Sequence, residues 1–380
     1  MVNKLDVMQS RLGSLKGFAD LLFGPKDVVA VDVGSYAVKV VLLKREGASV
    51  ELKSWGYLPL GSKSDAALDE RKAVVVNALR GFFIEKGIKV KDVATALSGN
   101  SVIVRYVKFP RLTKLELQAT LATEAEPFIP FDINEVQLGF HILNEVIEEG
   151  QKKMETVLVA AKRDLVTARL EILQECGLHP AIIDVDSFTL ENIHDLSCDP
   201  KETVATLYLN IGHNVTNLSI VENGVTRVVR DVFISGQTMT KAVMKAFQCD
   251  AAKADDLKKA YGIIVDPTEK EKALVEGNRD ALGVSQSMSQ VARDLVGEVH
   301  RSVDFYLSQG PDRSIGRIVL SGGSAHTKNL DKHLAGELKV PVAVLDPFAF
   351  IEGAKAVPEE LRSAFGVSVG LGLRQNRDWE

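Results

Sequence analysis

"VVAVDVGSYAVKVVLLKREGASVELKSWGYLPL", residues 28–60, strings three apolar strand runs together, with a tight turn at Gly34-Ser35 between the first two and a short turn before the third. The same grammar returns at residues 204–236, "VATLYLNIGHNVTNLSIVENGVTRVVRDVFISG", where Gly212 takes the place of Gly34. Each triplet runs into a helical pattern, at 65–86 and at 237–247, and later into another apolar strand. The chain therefore reads as a duplicated α/β unit. "GRIVLSGGSAHTKNL", residues 316–330, closes the second copy with a buried strand, a glycine pair and a helix start, and "VPVAVLDP", residues 340–347, is a further strand.

Two segments fit neither copy. Between 102 and 180 the pattern is strand over 102–109, helix over 114–126, strand over 136–143, strand over 155–161 and helix over 165–175, a small α+β insertion. Its first helix stops at Pro127 and Pro130 beside Phe128, Ile129 and Phe131. That cluster is open to two readings, the module's own core or a groove for an extended peptide. Residues 238–309 are almost wholly helical, with a polar loop expected around 266–270. At the start of the chain Leu5, Met8, Leu12, Leu15, Ala19 and Leu22 recur at three- and four-residue steps, predicting an amphipathic helix that ends at Gly24-Pro25. Its polar face mixes both charge signs, which favours docking on protein over a membrane surface.

Composition narrows the partners. A net charge of -5 supplies no basic field for nucleic acid, and charged residues interrupt every apolar run well before membrane-spanning length. Three scattered cysteines, Cys176, Cys198 and Cys249, argue for a reducing compartment, so the cytoplasm is the expected location. Neither a P-loop, a G-x-G-x-x-G run nor an H-E-x-x-H motif is present.

The unexpected residue is Lys39, set in an apolar strand four positions past the first turn. If the two glycine turns face one another across a cleft, their N–H groups and the Lys39 ammonium suit a phosphate. Taken alone, a hairpin of this kind also allows Lys39 to lie on a solvated strand face.

Four segments occur in order: "VDVGSYAVKV" at 31–40, "CGLHPAIIDVDSFTL" at 176–190, "LNIGHNVTNL" at 209–218 and "IVLSGGSAHTKNL" at 318–330. They resemble the first phosphate loop, connecting segment, second phosphate loop and adenosine loop of the actin-like superfamily. The insertion "LTKLELQATLATEAEPFIPFDINEVQLGFHIL" (112–143) and the ending "FGVSVGLGLR" (365–374) most resemble the PilM family of type IV pilus assembly proteins, related to the FtsA division proteins. The resemblance covers about 27–374.

It implies an actin-like duplicated βββαβα fold, two halves around a nucleotide cleft, with a small SHS2-like α+β insertion. The implied division is an N-terminal helix over 1–26, a first half over 27–101 and 181–201 and an accessory insertion over 102–180. A second half over 202–236 and 315–374 and a helical insertion over 237–314 complete it. It implies ATP and Mg²⁺ as ligands, with Asp32 orienting water on the metal, Gly34, Ser35 and Tyr36 forming the first phosphate loop and Lys39 holding phosphate. Gly212 approaches from the other side, and Gly322, Gly323 and Ser324 lie along the adenosine. Asp255 and Lys258 in "AKADDLKKAYG" are candidates for the ribose and base, a charged solvated face being the alternative. Asn210 stands where the superfamily has an acid before the second glycine, and His213 where a polar acid often follows. Metal handling is thereby weakened, and Asp186 becomes the candidate to position water.

The implied function is a cytoplasmic ATP-binding scaffold, peripheral to the inner membrane through its partners and with weak ATPase activity at most. The implied partners are the N-terminal cytosolic peptide of PilN, other inner-membrane pilus platform proteins and the assembly ATPase. The alternatives are an FtsA-like division protein, a sugar or acetate kinase of the same fold, and a nucleotide-free secretion-platform scaffold.

Overall fold

The computed structural model describes residues 29–46, 49–61, 68–148, 150–197 and 204–374, so the amphipathic segment expected over 1–26 lies outside the described residues. Strands β1 (Val29–Val33), β2 (Ala37–Glu46) and β3 (Ser49–Pro59) form an antiparallel meander. β4 (Asp92–Leu97) and β8 (His179–Val185) extend it in parallel, giving the order β3-β2-β1-β4-β8. The second sheet repeats the scheme as β11-β10-β9-β12-β13. Its strands are β9 (Ala205–Ile211), β10 (Thr216–Glu222), β11 (Val225–Val232), β12 (Ile315–Ser321) and β13 (Val342–Val344). Every residue of β9 is buried, as a central strand covered on both faces requires.

Helices cover both faces of each sheet because the strands are apolar on both. On one side of the first sheet Val29, Val31, Val38 and Val40 pack against Val75, Leu79, Phe82 and Phe83 of α1 (Leu68–Glu85) and Leu173 of α3 (Arg163–Glu175). The outer face of the second sheet is closed by α5 (Gly236–Phe247), α6 (Ala251–Tyr261), α8 (Arg279–Leu307) and α9 (Leu330–Leu338). Between the sheets run α4 (Asp186–Ser197) and a C-terminal helix, numbered α11 (Gly366–Gly372) after the short α10 (Glu359–Arg362). One apolar cluster joins both sheets there: Ala30 and Val41 from the first, Tyr208 and Val221 from the second, Leu190 and Ile193 from α4, and Phe365, Val369 and Leu371.

α11 is glycine-rich because three of its positions have no room for a side chain. A Cβ built on Gly366 would lie 2.2 Å from Ser321 Oγ, one on Gly370 2.0 Å from the Thr189 carbonyl oxygen, and one on Gly372 3.0 Å from Leu43 Cδ1. The helix thus touches the second sheet, the connecting helix and the first sheet in turn. Just beyond it, the guanidinium of Arg374 donates through Nε and Nη2 to Asp184 Oδ2 at the end of β8, both side chains being buried.

The accessory module is a third sheet, β5-β7-β6, made of β5 (Val102–Pro110), β6 (Val136–Glu148) and β7 (Gln151–Lys162), with α2 (Lys114–Ala125) on one face. Thr113 and Glu116 form a capping box that starts α2. Ile129 is buried with Leu117, Leu121 and Leu158, and Phe131 packs on them. Ile129 and Phe131 therefore belong to the module's own core, while Phe128 is 40% exposed at its edge with its ring 6.3 Å from Phe109. The strands run longer than the apolar pattern indicated, because the β6–β7 hairpin continues past the core through Lys108–Glu148 and Lys153–Glu148 ion pairs. The polar loop expected at 266–270 is instead the start of α7 (Pro267–Val275): Asp266 accepts from Thr268 N at 2.8 Å and Pro267 sits where no N–H is needed.

Replacing Gly370 by Ala forces α11 off the Thr189 carbonyl, since backbone cannot move aside as a flexible side chain would. Overpacking of this kind costs about 1–3 kcal/mol. Chemical denaturation is expected to show a loss in that range or above it, whereas Gly336→Ala, where nothing lies within 4 Å of the added carbon, leaves stability within about 1 kcal/mol.

Candidate nucleotide cleft and partner recess

The two glycine turns have the same build. Gly34 N donates to the Ala37 carbonyl at 3.2 Å and Gly212 N to the Val215 carbonyl at 2.9 Å. A Cβ on either glycine would meet that same carbonyl oxygen, at 2.9 Å and 2.8 Å, so the turns need glycine for close approach. The two tips meet across the cleft, with the Tyr36 and His213 rings 5.4 Å apart. Turn two also starts α5, its carbonyls at Gly212 and His213 accepting from Gly236 N at 3.0 Å and Gln237 N at 2.8 Å.

Lys39 is not on a solvated face. Opposite Asp32 in the β1/β2 register, its side chain is only 15% exposed and its ammonium lies 2.8 Å from Asp32 Oδ2. A Cβ on Gly34 would come within 2.8 Å of Lys39 Nζ, which puts the charge directly under the turn. The strand tolerates a lysine because the cation folds back along it to a carboxylate.

The adenosine-loop candidates fall beside the second turn. Gly322 has φ +88°, and a Cβ there would be 2.5 Å from the Ile211 carbonyl oxygen and 2.8 Å from Asn210 Oδ1. Ser324 N donates to the Ile211 carbonyl at 3.1 Å, while Gly323 faces open space. Asp255 is paired with Lys258 at 2.7 Å and Lys259 at 2.6 Å, and Lys258 Nζ donates to Thr240 Oγ1 at 2.9 Å. These side chains of α6 are tied to their own subdomain in this conformation. Burial, followed by the Lys258 charge, holds His213 below the ordinary imidazole range, and burial pushes the nearby Tyr57 phenol up to about 12.

Asp186 opens α4 at the cleft floor and accepts from Ser98 Oγ at 2.7 Å. Burial, then the Asp32 charge, pushes its carboxyl up to about 7. Beneath it Arg169 is half-buried, donating to Thr95 Oγ1 at 2.9 Å and the Ala96 carbonyl at 2.7 Å, and more distantly to the Val33 carbonyl at 3.3 Å. Burial lowers its pKa, while Asp186 and Asp32 act to raise it. In the second half Asn210 Nδ2 donates to Asn217 Oδ1 at 3.0 Å, and Asn217 Nδ2 to Asp231 Oδ1 at 2.6 Å. The other Asp231 oxygen accepts from Gly99 N at 2.5 Å. Sequence reasoning missed Ser98, Gly99, Arg169, Asn217 and Asp231. The last two were within reach, because setting the repeats in register puts Asn217 opposite Lys39 and Asp231 opposite Tyr57.

A magnesium ion brings a demand for oxygen donors and keeps most of its waters. Among the described residues no group of three or more His, Cys, Asp or Glu side chains could hold a metal ion. Asp32 has the chemistry only for the lesser role of accepting from a metal-bound water, and its carboxylate is paired with Lys39.

A second feature lies on the face of the accessory sheet away from α2. Tyr106, His141, Leu143 and Val157 of the module, Phe188 and Glu191 of α4, Val225 and Thr226 of β11, and Arg374 surround a small recess of about 50 Å³. A register shift between Ile142 and Asn144 makes Leu143 a bulge residue. Glu191 accepts from Thr226 N at 2.7 Å, and burial raises its pKa. The Tyr106 hydroxyl is enclosed without a hydrogen-bond partner.

The family model described as type IV pilus assembly protein PilM matches residues 30–376. The solved PilM-PilN type IV pilus biogenesis complex contains a chain with a TM-score of 0.78 and 24% identity, over 94% of this chain and 99% of that one. The ethanolamine utilization protein EutJ from Carboxydothermus hydrogenoformans aligns with a TM-score of 0.51 at 12% identity, over 92% and 90% of the two chains. No described helix is long and apolar enough to cross a membrane.

Because Asp186 is held above its unfolded value, the native state binds the extra proton between about pH 4 and 7, and this contribution to stability falls as pH rises through that window. Asp186→Asn is expected to match the parent protein below about pH 4, where the side chain is neutral in both, and to pull ahead as pH rises, gaining about 2–3 kcal/mol on it between pH 5 and pH 8. Urea denaturation at the two pH values reads the difference.

Proposed function

The chain belongs to the family of type IV pilus assembly protein PilM, and from that premise we propose a nucleotide-gated scaffold. The cleft takes ATP with Mg²⁺, and the recess under the accessory sheet docks the N-terminal cytosolic segment of a PilN-type membrane protein. The observation that carries the reading is the recess: module, first half and second half each contribute walls to it, so one pocket reports the arrangement of all three. Its aromatic and aliphatic walls suit a single small apolar anchor of an extended peptide.

In the cleft, Lys39 is the charge released for phosphate once Asp32 turns to a metal-bound water. The N–H groups of the two turns beyond Gly34 and Gly212, and the open side of Gly323, supply the remaining contacts. Bound ATP-Mg²⁺ supplies a divalent charge and a phosphate chain that the two halves close upon. Asp186 is the residue placed to accept a proton from an attacking water, but at neutral pH it is only partly ionised. With Asn210 in place of the second acid, turnover is expected to be slow. The protein then works by binding, in the cytoplasm and next to the inner membrane through its partner.

ATP-Mg²⁺ at 100 times its dissociation constant is expected to stabilise the protein by about 2.7 kcal/mol, and Lys39→Ala to remove most of that gain in a thermal-shift titration. An undiminished shift in the variant would sink the phosphate assignment. A synthetic N-terminal segment of the partner should bind with micromolar affinity, about -8 kcal/mol, in calorimetry. Leu143→Asp, which puts a charge at the recess wall, is expected to weaken it at least tenfold while the nucleotide shift is retained.

A further inference from the structure

The two adjacent residues that lead into the accessory module, Ser98 and Gly99, are each held by a carboxylate from a different half. Asp186 of the first half takes the Ser98 hydroxyl at 2.7 Å, and Asp231 of the second half takes the Gly99 amide at 2.5 Å. Gly99 has φ +94° and its carbonyl accepts from Val102 N at 2.9 Å, so it forms the turn into β5. Ser101 O then accepts from Lys162 N at 2.9 Å, closing the module's entry on its exit. Whatever moves Gly99 moves the base of the module.

Asp231 is in turn the end of a row that starts at the cleft. Asn210, against whose Oδ1 Gly322 packs, donates to Asn217, and Asn217 donates to Asp231. The row crosses β9, β10 and β11 at matched register positions. In the first half the equivalent positions hold Asp32, Lys39 and Tyr57. The carboxylate that stands on the first strand there stands on the third strand here, where it reaches across to the other half. Farther along β11, Arg227 pairs with Glu155 of the module at 3.1 Å, and Val225 and Thr226 line the recess.

We propose that Ser98-Gly99 is a two-carboxylate latch, with Asp231 the positioning residue that couples the cleft to the recess. The inference rests on the reading of cleft and recess given above. A shift of Gly322 or of the second turn pulls on Asn210, the pull passes along the amide row, and Asp231 tightens or loosens its hold on Gly99. Coupling of this kind is reciprocal: the partner peptide changes nucleotide affinity by the factor by which nucleotide changes peptide affinity.

Two measurements on the full chain test it. Hydrogen exchange without ligand follows the amides of 99–105: Asp231→Ala is expected to speed exchange at Gly99 roughly tenfold or more, and Asp231→Asn, which keeps an acceptor oxygen, to restore most of the protection. Calorimetry with the partner peptide, with and without a non-hydrolysable ATP analogue, gives the coupling factor. About fivefold or more is expected for the parent protein, falling to about one in Asp231→Ala and recovering in Asp231→Asn. Unchanged Gly99 exchange in Asp231→Ala, or an unchanged coupling factor, overturns the latch. A parent protein that binds both ligands with no mutual effect overturns the coupling. Failure to bind either ligand counts against the proposed function instead, and the ligand-free exchange still decides whether Asp231 holds Gly99.

Discussion

The crossing of α11 over α4 fixes how the rest of the molecule can be arranged. Only a hydrogen atom fits between the Gly370 backbone and the Thr189 carbonyl, and the same helix meets Ser321 of the second sheet through Gly366 and Leu43 of the first through Gly372. The glycine faces of the helix allow close approach but bury little apolar surface of their own. Its stability comes from the apolar cluster shared by both sheets, to which Val367, Val369 and Leu371 contribute. Because α4 lies in that cluster, its first residue is delivered to the cleft floor and Phe188 and Glu191 to the recess. One packed pair of helices therefore sets the geometry of both sites.

Around that pair the two halves are alike in topology and unlike in charge. The first half balances Asp32 against Lys39 within one hairpin and needs nothing from elsewhere. The second half uses two neutral amides to carry a hydrogen-bonded row out to Asp231. A half-buried carboxylate with a neutral row behind it finds its remaining donor outside the hairpin, at Gly99 N. Positions that form a local ion pair in the first half thus make a contact between halves in the second.

Much of this was legible in the sequence. The duplicated triplets predicted both meanders, and the strand-helix-strand-strand order of the insertion emerged as expected. The glycines at 34, 212 and 322 were recognised because a backbone approach leaves glycine as its only trace. The lysine in an apolar strand was also readable as a cleft residue, though not its ion pair with Asp32. What escaped were partners whose roles exist only across the fold. Arg169 looks like any helix charge until α3 is laid against β4, and Asp231 like a strand-end acid until Gly99 comes beside it. The proline-flanked apolar cluster misled in the opposite direction, since a core and a groove share one composition and only packing tells them apart. The 266–270 stretch was taken for a loop because capping residues and loop residues are the same types.

The closed base of the accessory module also bears on how the chain reaches this fold. β4 and β8 are neighbours in the first sheet, yet the whole module lies between them in the chain. Were residues 102–161 an unstructured loop of roughly 60 residues, bringing its ends together would cost roughly 2 kcal/mol more than closing a four-residue turn. With Val102 paired to Ala161 and Ser101 bonded to Lys162, the ends meet as soon as the module's own three strands pair. To the first sheet the connection is then reduced to the module's closed base followed by α3. A module that forms early during synthesis leaves β8 only α3 and its turn to bridge in finding β4, and one that forms late leaves the parallel pair to close against the full loop entropy.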